Sequence, residues 1–409
     1  MKRLTLIAII LATALLQGCR TEGALWDGSL NVLSVNAIYP AGYADAVHAG
    51  VAVKAEEISS GAVYTALTDS RALAEMTVPG GIYRISVSDR QGRDIFNGSA
   101  DKVAVVGGPK VVDLQLVHSR AGSLVIKELY CGGCSKAPKE GVTQSDQYVI
   151  VHNNDSETAY LDSLCLGTLS PYNSTGVSPW NSKDPETGET VYPAFLPIIQ
   201  AIWQVGGDGR SFPLAPGEDA VICLRGAVDH SAEYPLSVNL NKAGYFVCYA
   251  PSYFYNPAYH PTPGNNISPE RYLGVVIKTG QANAYTLSLS SPTFVLFKAE
   301  GTTIQDFVLD DSNVLQVPGS TVDNVVAVPL EWVIDALEVF DARSSSNAKR
   351  LHPSLDAGFA VQSDIYKGHT LMRKTDEKAS AEAGYEILED TNNSSNDFYE
   401  RDTQSLHSD

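Results

Sequence analysis

Basic residues are the scarce class in this chain of 409 residues. Only 29 Lys and Arg stand against 47 Asp and Glu, a formal net charge of -18. Nucleic acid, whose phosphates require a basic face, is a poor partner for such a chain. The acidity reads as the soluble surface of an extracytoplasmic protein. Long apolar runs are lacking after the first sixteen residues, so no later segment is expected to span a bilayer as a helix. Convincing helix-period segments are lacking between Leu30 and His118. Cysteine is sparse, at six residues. What remains is an ordinary globular composition, 44% hydrophobic and 19% charged, with the length of two or three domains.

The N-terminus carries the sharpest local signal. Met1-Lys2-Arg3 is a basic segment, and Leu4–Leu16 is apolar but too short to cross a membrane. Leu16-Gln17-Gly18-Cys19 then resembles the lipobox of bacterial lipoproteins. By that resemblance residues 1–18 are a signal peptide, Cys19 is the lipid attachment site, and residues 19–27 are a lipidated tether. Acyl chains then hold the protein to a membrane, each buried methylene contributing about 0.8 kcal/mol. The five other cysteines, Cys131, Cys134, Cys165, Cys223 and Cys248, leave room for one or two disulfides with one thiol over.

Short β-patterned runs separated by Gly, Pro and Asp fill residues 28–119. In Ile82–Val87 the apolar Tyr83, Ile85 and Val87 alternate with Arg84, Ser86 and Ser88, as a half-buried strand requires. Val51–Ala55, Val63–Leu67 and Val111–Val117 supply similar runs. Thr68-Asp69 followed by Met76-Thr77-Val78-Pro79-Gly80-Gly81-Ile82-Tyr83 resembles the carboxypeptidase regulatory-like, transthyretin-type β-sandwich, with Ser70 and Arg71 where that family has Gly. The resemblance implies a non-catalytic stalk.

A second domain is expected over residues 122–400, with a polar, frayed tail beginning near Asp397 and set apart at 401–409. Leu124–Tyr130, Tyr148–His152 and Ala159–Leu166 open it, and Ala220–Leu224, Tyr245–Tyr249, Leu273–Lys278, Tyr285–Leu289 and Phe294–Phe297 continue it. Many short strands at this spacing predict a β-sandwich. Two long irregular insertions, Thr168–Pro213 and Pro251–Ser268, interrupt the pattern; loops of this length are often functional. Asp146–Asn154, Tyr160-Leu161-Asp162 and Pro213–Glu218 resemble a lamin-tail-type immunoglobulin-like domain. Ala227–His230, Pro329–Asp335, Lys349-Arg350-Leu351 and Asp390–Phe398 resemble a Bacteroidetes-type lipoprotein family known only as domain of unknown function 4876. The expected class is therefore all-β, with two β-sandwich domains.

Several constellations could carry chemistry. Cys131-Gly132-Gly133-Cys134 has the spacing of a redox or zinc half-site, but no helix follows and no second ligand pair is spaced for a metal. The spacing leaves a local structural bridge between Cys131 and Cys134, or two inert thiols. Asp229-His230 pairs an imidazole with a carboxylate and lacks any accompanying nucleophile. Asp390–Asp397 departs from a calcium loop at Ser395 and Arg401, and a buried polar network suits it better. Glu331–Val339 fits either helix or strand.

Trp180, Trp203, Tyr253, Phe254, Tyr255, Tyr259 and His260 are the ligand-contact candidates, because aromatics with polar tips on loops offer stacking surfaces. No catalytic residues, metal ligands or cofactor are assigned. The expected function is a non-catalytic binding or accessory lipoprotein of an outer membrane, capturing ligand for a TonB-dependent transporter. A metal-dependent hydrolase using Asp229 and His230, and a surface adhesin or envelope-structural protein, are the alternatives. Arg20-Thr21-Glu22-Gly23 is not an acidic surface-export run, which leaves the periplasmic or cell-surface leaflet open.

Overall fold

Three segments of the larger part of the chain, Tyr148–Asn153, Cys165–Leu169 and Thr293–Phe297, are buried along their whole length. A strand with one wet face shows alternation; a strand covered on both faces reads as a continuous apolar run. These segments sit in the middle of a sheet with packed layers on either side. In this computed structural model residues 30–92, 94–120 and 122–407 are described. The expected signal peptide, Cys19 and the tether lie outside them. The described chain is all-β, with three helices of four to seven residues and short 3-10 turns.

The chain divides into two compact units. The smaller comprises residues 30–37, 48–85 and 100–114, and the larger 38–47, 86–99 and 115 onward. Residues 38–47 and 86–99, read from sequence with the first domain, thus group with the larger unit.

In the smaller unit Leu30–Asn36 runs antiparallel to Leu73–Pro79, and Ala52–Glu56 to Val63–Leu67. Leu33, Val35, Val53, Ala55, Ala74, Met76, Val78, Tyr83 and Ile85 form its buried apolar set. The Tyr83 hydroxyl donates to the Pro79 carbonyl at 2.8 Å, locking the Pro79-Gly80 turn seen in the sequence. Asp69 closes the preceding turn by accepting from the backbone N–H groups of Arg71 and Leu73.

The larger unit is built on one 14-stranded sheet. In spatial order its main path runs Ala360–Gln362, Val333–Asp341, Thr293–Phe297, Cys165–Leu169, Phe195–Gln204 and Tyr272–Lys278. It continues through Phe246–Cys248, Asp219–Cys223, Tyr148–Asn153, Leu124–Tyr130, Thr370–Arg373 and Phe398–Arg401. The first strand packs against the last, so the sheet curls almost into a barrel. Alternate side chains divide between the inside and two outer layers. Val149, Val151, Leu166, Trp203, Ile222, Phe294 and Leu296 fill the interior. Cys165, Ile198, Ile202, Val295, Phe297 and Trp332 form one outer layer; Tyr130, Tyr148, Ile150, Val221 and Cys223 form the other. Gly167 lies at a bulge where a Cβ would stand 2.7 Å from the Ile198 side chain.

Two ion-pair clusters are enclosed among the described residues of this unit. Arg350 places Nη2 2.6 Å from Glu338 Oε1, with both residues buried. Arg373 places Nη2 2.5 Å from Asp335 and Nη1 3.4 Å from Asp390 and 3.5 Å from Asp397. Asp335 also accepts from Ile126 N, tying the Val333–Asp341 strand to Leu124–Tyr130. The Asn- and Asp-rich run 390–397 is thus part of a buried polar network.

Four expectations are corrected. Thr168–Pro213 is not one irregular insertion, because Phe195–Gln204 is a ten-residue strand within it. Pro197 and the left-handed Gln200 (φ 70°) disguised it. The strand changes partner near Gln200, pairing first with Asn324–Pro329 and then with Tyr272–Lys278. Ala159–Leu166 is broken: Ala159–Tyr160 pairs with Pro213–Leu214, and a new strand starts at Cys165 after the left-handed Ser163. Tyr285–Leu289 is irregular, because its polar atoms and backbone serve loop contacts instead of a ladder. The tail is not frayed through residue 407: Phe398–Arg401 pairs with Thr370–Arg373, and Gln404 is buried.

Candidate aromatic-loop site

Sheet topology explains the second long insertion. Asp219–Cys223, Phe246–Cys248 and Tyr272–Lys278 are neighbours that run parallel to one another. Parallel neighbours cannot be joined by a hairpin and need a crossover of about a dozen residues or more. Residues 224–245 and 249–271 are these two crossovers. They carry Asp229-His230 and the Tyr253–His260 run respectively.

Alternate burial sets the aromatic loop. Phe254 and His260 are buried, whereas Tyr253, Tyr255 and Tyr259 are 42%, 67% and 37% exposed. Phe254 stacks on Trp203 with ring centroids 5.5 Å apart and on His260 at 5.6 Å. Tyr285 closes the cluster edge-on to Trp203 at 5.6 Å. Such ring pairs contribute about 0.5–1.5 kcal/mol each beyond their burial.

The backbone is equally constrained. Tyr253 N and Phe254 N donate to the Ala250 carbonyl, and Tyr259 N and His260 N donate to that of Asn256. Gly264 N donates to the Ala227 carbonyl, linking this crossover to the other. His260 Nε2 lies 2.9 Å from Tyr285 N and 3.0 Å from Tyr285 O. Burial pushes the His260 pKa down to about 4, with the nearby Arg225 charge acting in the same direction against the Tyr285 contact. His260 is therefore a neutral structural prop at pH 7.

Arg225 lies beneath this loop, and the sequence reading missed it. It directly follows the apolar stretch Ala220–Leu224, and a lone charge contiguous with a buried strand was the available signal. Its side chain is fully buried, with the guanidinium carbon 4.6 Å from the centre of the Tyr259 ring. Such cation–π contacts strengthen when desolvated. Burial pushes the Arg225 pKa down to about 10.

The seven aromatic candidates therefore separate. Trp203, Phe254 and His260 come together as the buried footing, and Tyr253, Tyr255 and Tyr259 project from it. Trp180 sits elsewhere, edge-on to Phe195 at 5.8 Å. Trp203 is core and unavailable to a ligand.

Other constellations have structural explanations. The thiols of Cys131 and Cys134 are free and buried, so of the two readings, a local bridge or a pair of inert thiols, the structure has the second. Cys131 Sγ lies 3.6 Å from Gln362 Oε1, while Cys134 Sγ lies 3.5 Å from Asp146 Oδ2. Asp229 makes an Asx turn with Ser231, and His230 stacks on Tyr234. His152, Asp219 and Glu386 bring ligand atoms within 4.8 Å of one another. Lys127 already supplies the cation there, with Nζ 2.6 Å from each carboxylate. A cleft of about 250 Å³ is lined by His118, Glu331, Ile334, Ser354, Leu355 and Asn392, among others. His118 is occupied on both ring nitrogens, by Asp94 at 2.7 Å and Tyr43 at 3.1 Å.

The profile of a family described as protein of unknown function (DUF4876) matches residues 215–405. The resemblance to that family drawn from sequence is borne out over those residues. A DUF4876 family protein from Bacteroides thetaiotaomicron superposes with a TM-score of 0.56 at 22% identity, covering 90% of this chain and 94% of that one. The likeness shows the same all-β fold. A putative adhesin from Bacteroides ovatus has a TM-score of 0.21 at 10% identity, covering 70% of this chain and 85% of that one. A DUF3823 family protein from Parabacteroides merdae has a TM-score of 0.17 at 9% identity, covering 44% and 83%. No curated protein matches the chain.

Proposed function

We propose, starting from a chain whose residues 215–405 match the DUF4876 family, that this is a non-catalytic binding lipoprotein of an outer membrane. Cys19 carries the lipid, the smaller unit serves as stalk, and the larger unit presents the binding surface. The ligand is handed to a TonB-dependent receptor. The observation that carries this reading is the loop 250–260, where buried Phe254 and His260 hold Tyr253, Tyr255 and Tyr259 at the surface. Exposed tyrosines on a rigid footing give contact area at low entropic expense, as binding loops require.

The decisive experiment applies the purified chain to a glycan array and to detergent-solubilised, crosslinked outer membranes. The expected result is retention of a glycan or receptor that is lost in the triple variant Tyr253→Ala, Tyr255→Ala, Tyr259→Ala while its melting midpoint is unchanged. Turnover of any substrate in a broad hydrolase screen would overturn the non-catalytic reading. A hydrolase built on Asp229 and His230 requires stoichiometric bound metal, which elemental analysis detects directly.

A further inference from the structure

The geometry points to Arg225 as the anchor of a subsite for a carboxylate carried on a ring, such as a uronic acid or an aromatic acid, beneath the tyrosine loop. This rests on the binding reading above and names the chemical class of its ligand.

Three observations converge. First, the Arg225 side chain is fully buried but only part of its hydrogen-bonding capacity is used. Nη1 donates to the Gln144 carbonyl at 3.2 Å, whereas Nε and Nη2 meet no acceptor among the described residues. Those two nitrogens lie on one edge of the planar group, the fork that matches both oxygens of a carboxylate. A buried charge ordinarily has a partner.

Second, Asp146, the carboxylate whose charge acts on Arg225, makes no hydrogen bond to it, and its Oδ1 has no partner among the described residues. Asp146 raises the Arg225 pKa from a distance. Its Oδ2 takes the hydroxyls of Ser237 at 2.7 Å and Tyr130 at 3.3 Å. A monoanion therefore balances the single guanidinium charge. A dianion would leave surplus negative charge beside Asp146, in a chain already at -18.

Third, the surroundings are aromatic. Tyr259 covers one face of the guanidinium, and Tyr172 and Tyr366 also contribute to its electrostatic environment. Rings of this kind stack on a sugar or aromatic ring whose carboxylate reaches Arg225. Tyr259 is partly exposed and stands on the one-turn segment closed by Asn256, so rotation of its side chain opens the guanidinium face that it covers. The strand end holding Arg225 does not move with it: Leu224 N donates to the Gln147 carbonyl, and Gly226 packs against Pro261 closely enough to exclude a Cβ.

Isothermal titration of the full chain with galacturonate and benzoate, and with the neutral galactose and benzyl alcohol, tests the assignment. At least one acid should bind saturably and at least tenfold tighter than its neutral counterpart. Arg225→Lys, which keeps the charge and loses the fork, should weaken that binding at least tenfold. Tyr259→Ala provides a variant that leaves Arg225 in place, and it too should weaken binding while the melting midpoint holds. Equal affinity for acid and neutral probes, or an Arg225→Lys variant that binds like wild type, overturns the subsite. If neutral glycans bind in a tyrosine-dependent way and neither acid does, the subsite falls and the binding surface stands. If no glycan, receptor or acid binds, both fall. A variant at Arg225 that only destabilises the fold, with no acid bound by wild type, assigns the fork to internal solvation and also overturns the proposal.

Discussion

Replacing Glu338 with Gln removes the charge from the most enclosed ion pair among the described residues. Glu338 is completely buried and accepts five hydrogen bonds. Oε2 takes Arg350 N and Leu351 N, each at 2.8 Å, and Oε1 takes Arg350 Nε at 2.9 Å, Nη2 at 2.6 Å and Thr293 Oγ1 at 3.1 Å. Glutamine offers one acceptor oxygen, so its amide N–H groups face donors on one side. Whichever way the amide turns, Arg350, 3% exposed, is left with neutral acceptors only, such as Ser291 O at 2.9 Å. Breaking a buried pair from one side costs about 3–5 kcal/mol, mostly from the charge left behind. At about 2 °C per kcal/mol, suited to a large cooperative unit, the midpoint falls by about 6–10 °C. Tryptophan fluorescence is the assay, since Trp180, Trp203 and Trp332 all report on the larger unit. Adding Arg350→Met to Glu338→Gln should recover much of the loss, because an apolar replacement of the whole pair is often near neutral. A single variant melting within about 1 °C of wild type would refute the reasoning.

The Arg373 cluster predicts a pH dependence of opposite sign to ordinary acid denaturation. Burial, with the neighbouring Asp390 charge and against the pull of Arg373, pushes Asp335 up to about 6 and Asp397 up to about 7. Folded values above the unfolded value mean that the native state holds extra protons. The contribution of this cluster is therefore fully present below about pH 4 and is lost as pH rises through 6 to 7. Midpoints measured from pH 5 to 8 should decline less steeply in Asp397→Asn, and an unchanged slope would refute the assignment. Burial also pushes the thiols of Cys131, Cys134 and Cys165 up to about 12. Native protein at pH 8 should leave those three and Cys223 and Cys248 unlabelled by a disulfide reagent, while unfolded protein without reductant yields all five; three would reveal a bridge. Phe254→Ala should cost about 3–5 kcal/mol and expose the loop to chymotrypsin at Tyr253 and Tyr255. Cleavage no faster than wild type would show that Phe254 is not the anchor.

The parts readable from sequence are those governed by local chemistry. Alternation marked Tyr83, Ile85 and Val87; the spacing of short strands between turns marked Tyr148–His152 and Phe294–Phe297; the Pro79-Gly80 and Pro216-Gly217 turns stand where their residues required. The Asn- and Asp-rich run 390–397 was readable as a network because Ser395 and Arg401 stand where a calcium loop needs Gly and Glu. Phe195–Gln204 was not readable, since Pro197 and a left-handed Gln200 belong to a strand that changes partner. Trp203 looked like a loop aromatic for the same reason.

The aromatic loop shows the division most clearly. Its composition, Tyr-Phe-Tyr followed by Tyr259 and His260, marked every ring of the loop alike as a candidate for ligand contact. Which rings would meet solvent and which would pack depended on the parallel order of three strands, since that order forces residues 249–271 across the sheet and seats Phe254 on Trp203. Arg225 owes its position to the same crossing. A residue's charge is written in the chain, but its burial under Tyr259 depends on a segment some thirty residues away. Local sequence thus determined the class, the turns and those strands whose pattern is regular, because propensity and periodicity act over a few residues. Tertiary structure alone decided which side chains converge, because convergence here is set by strand order.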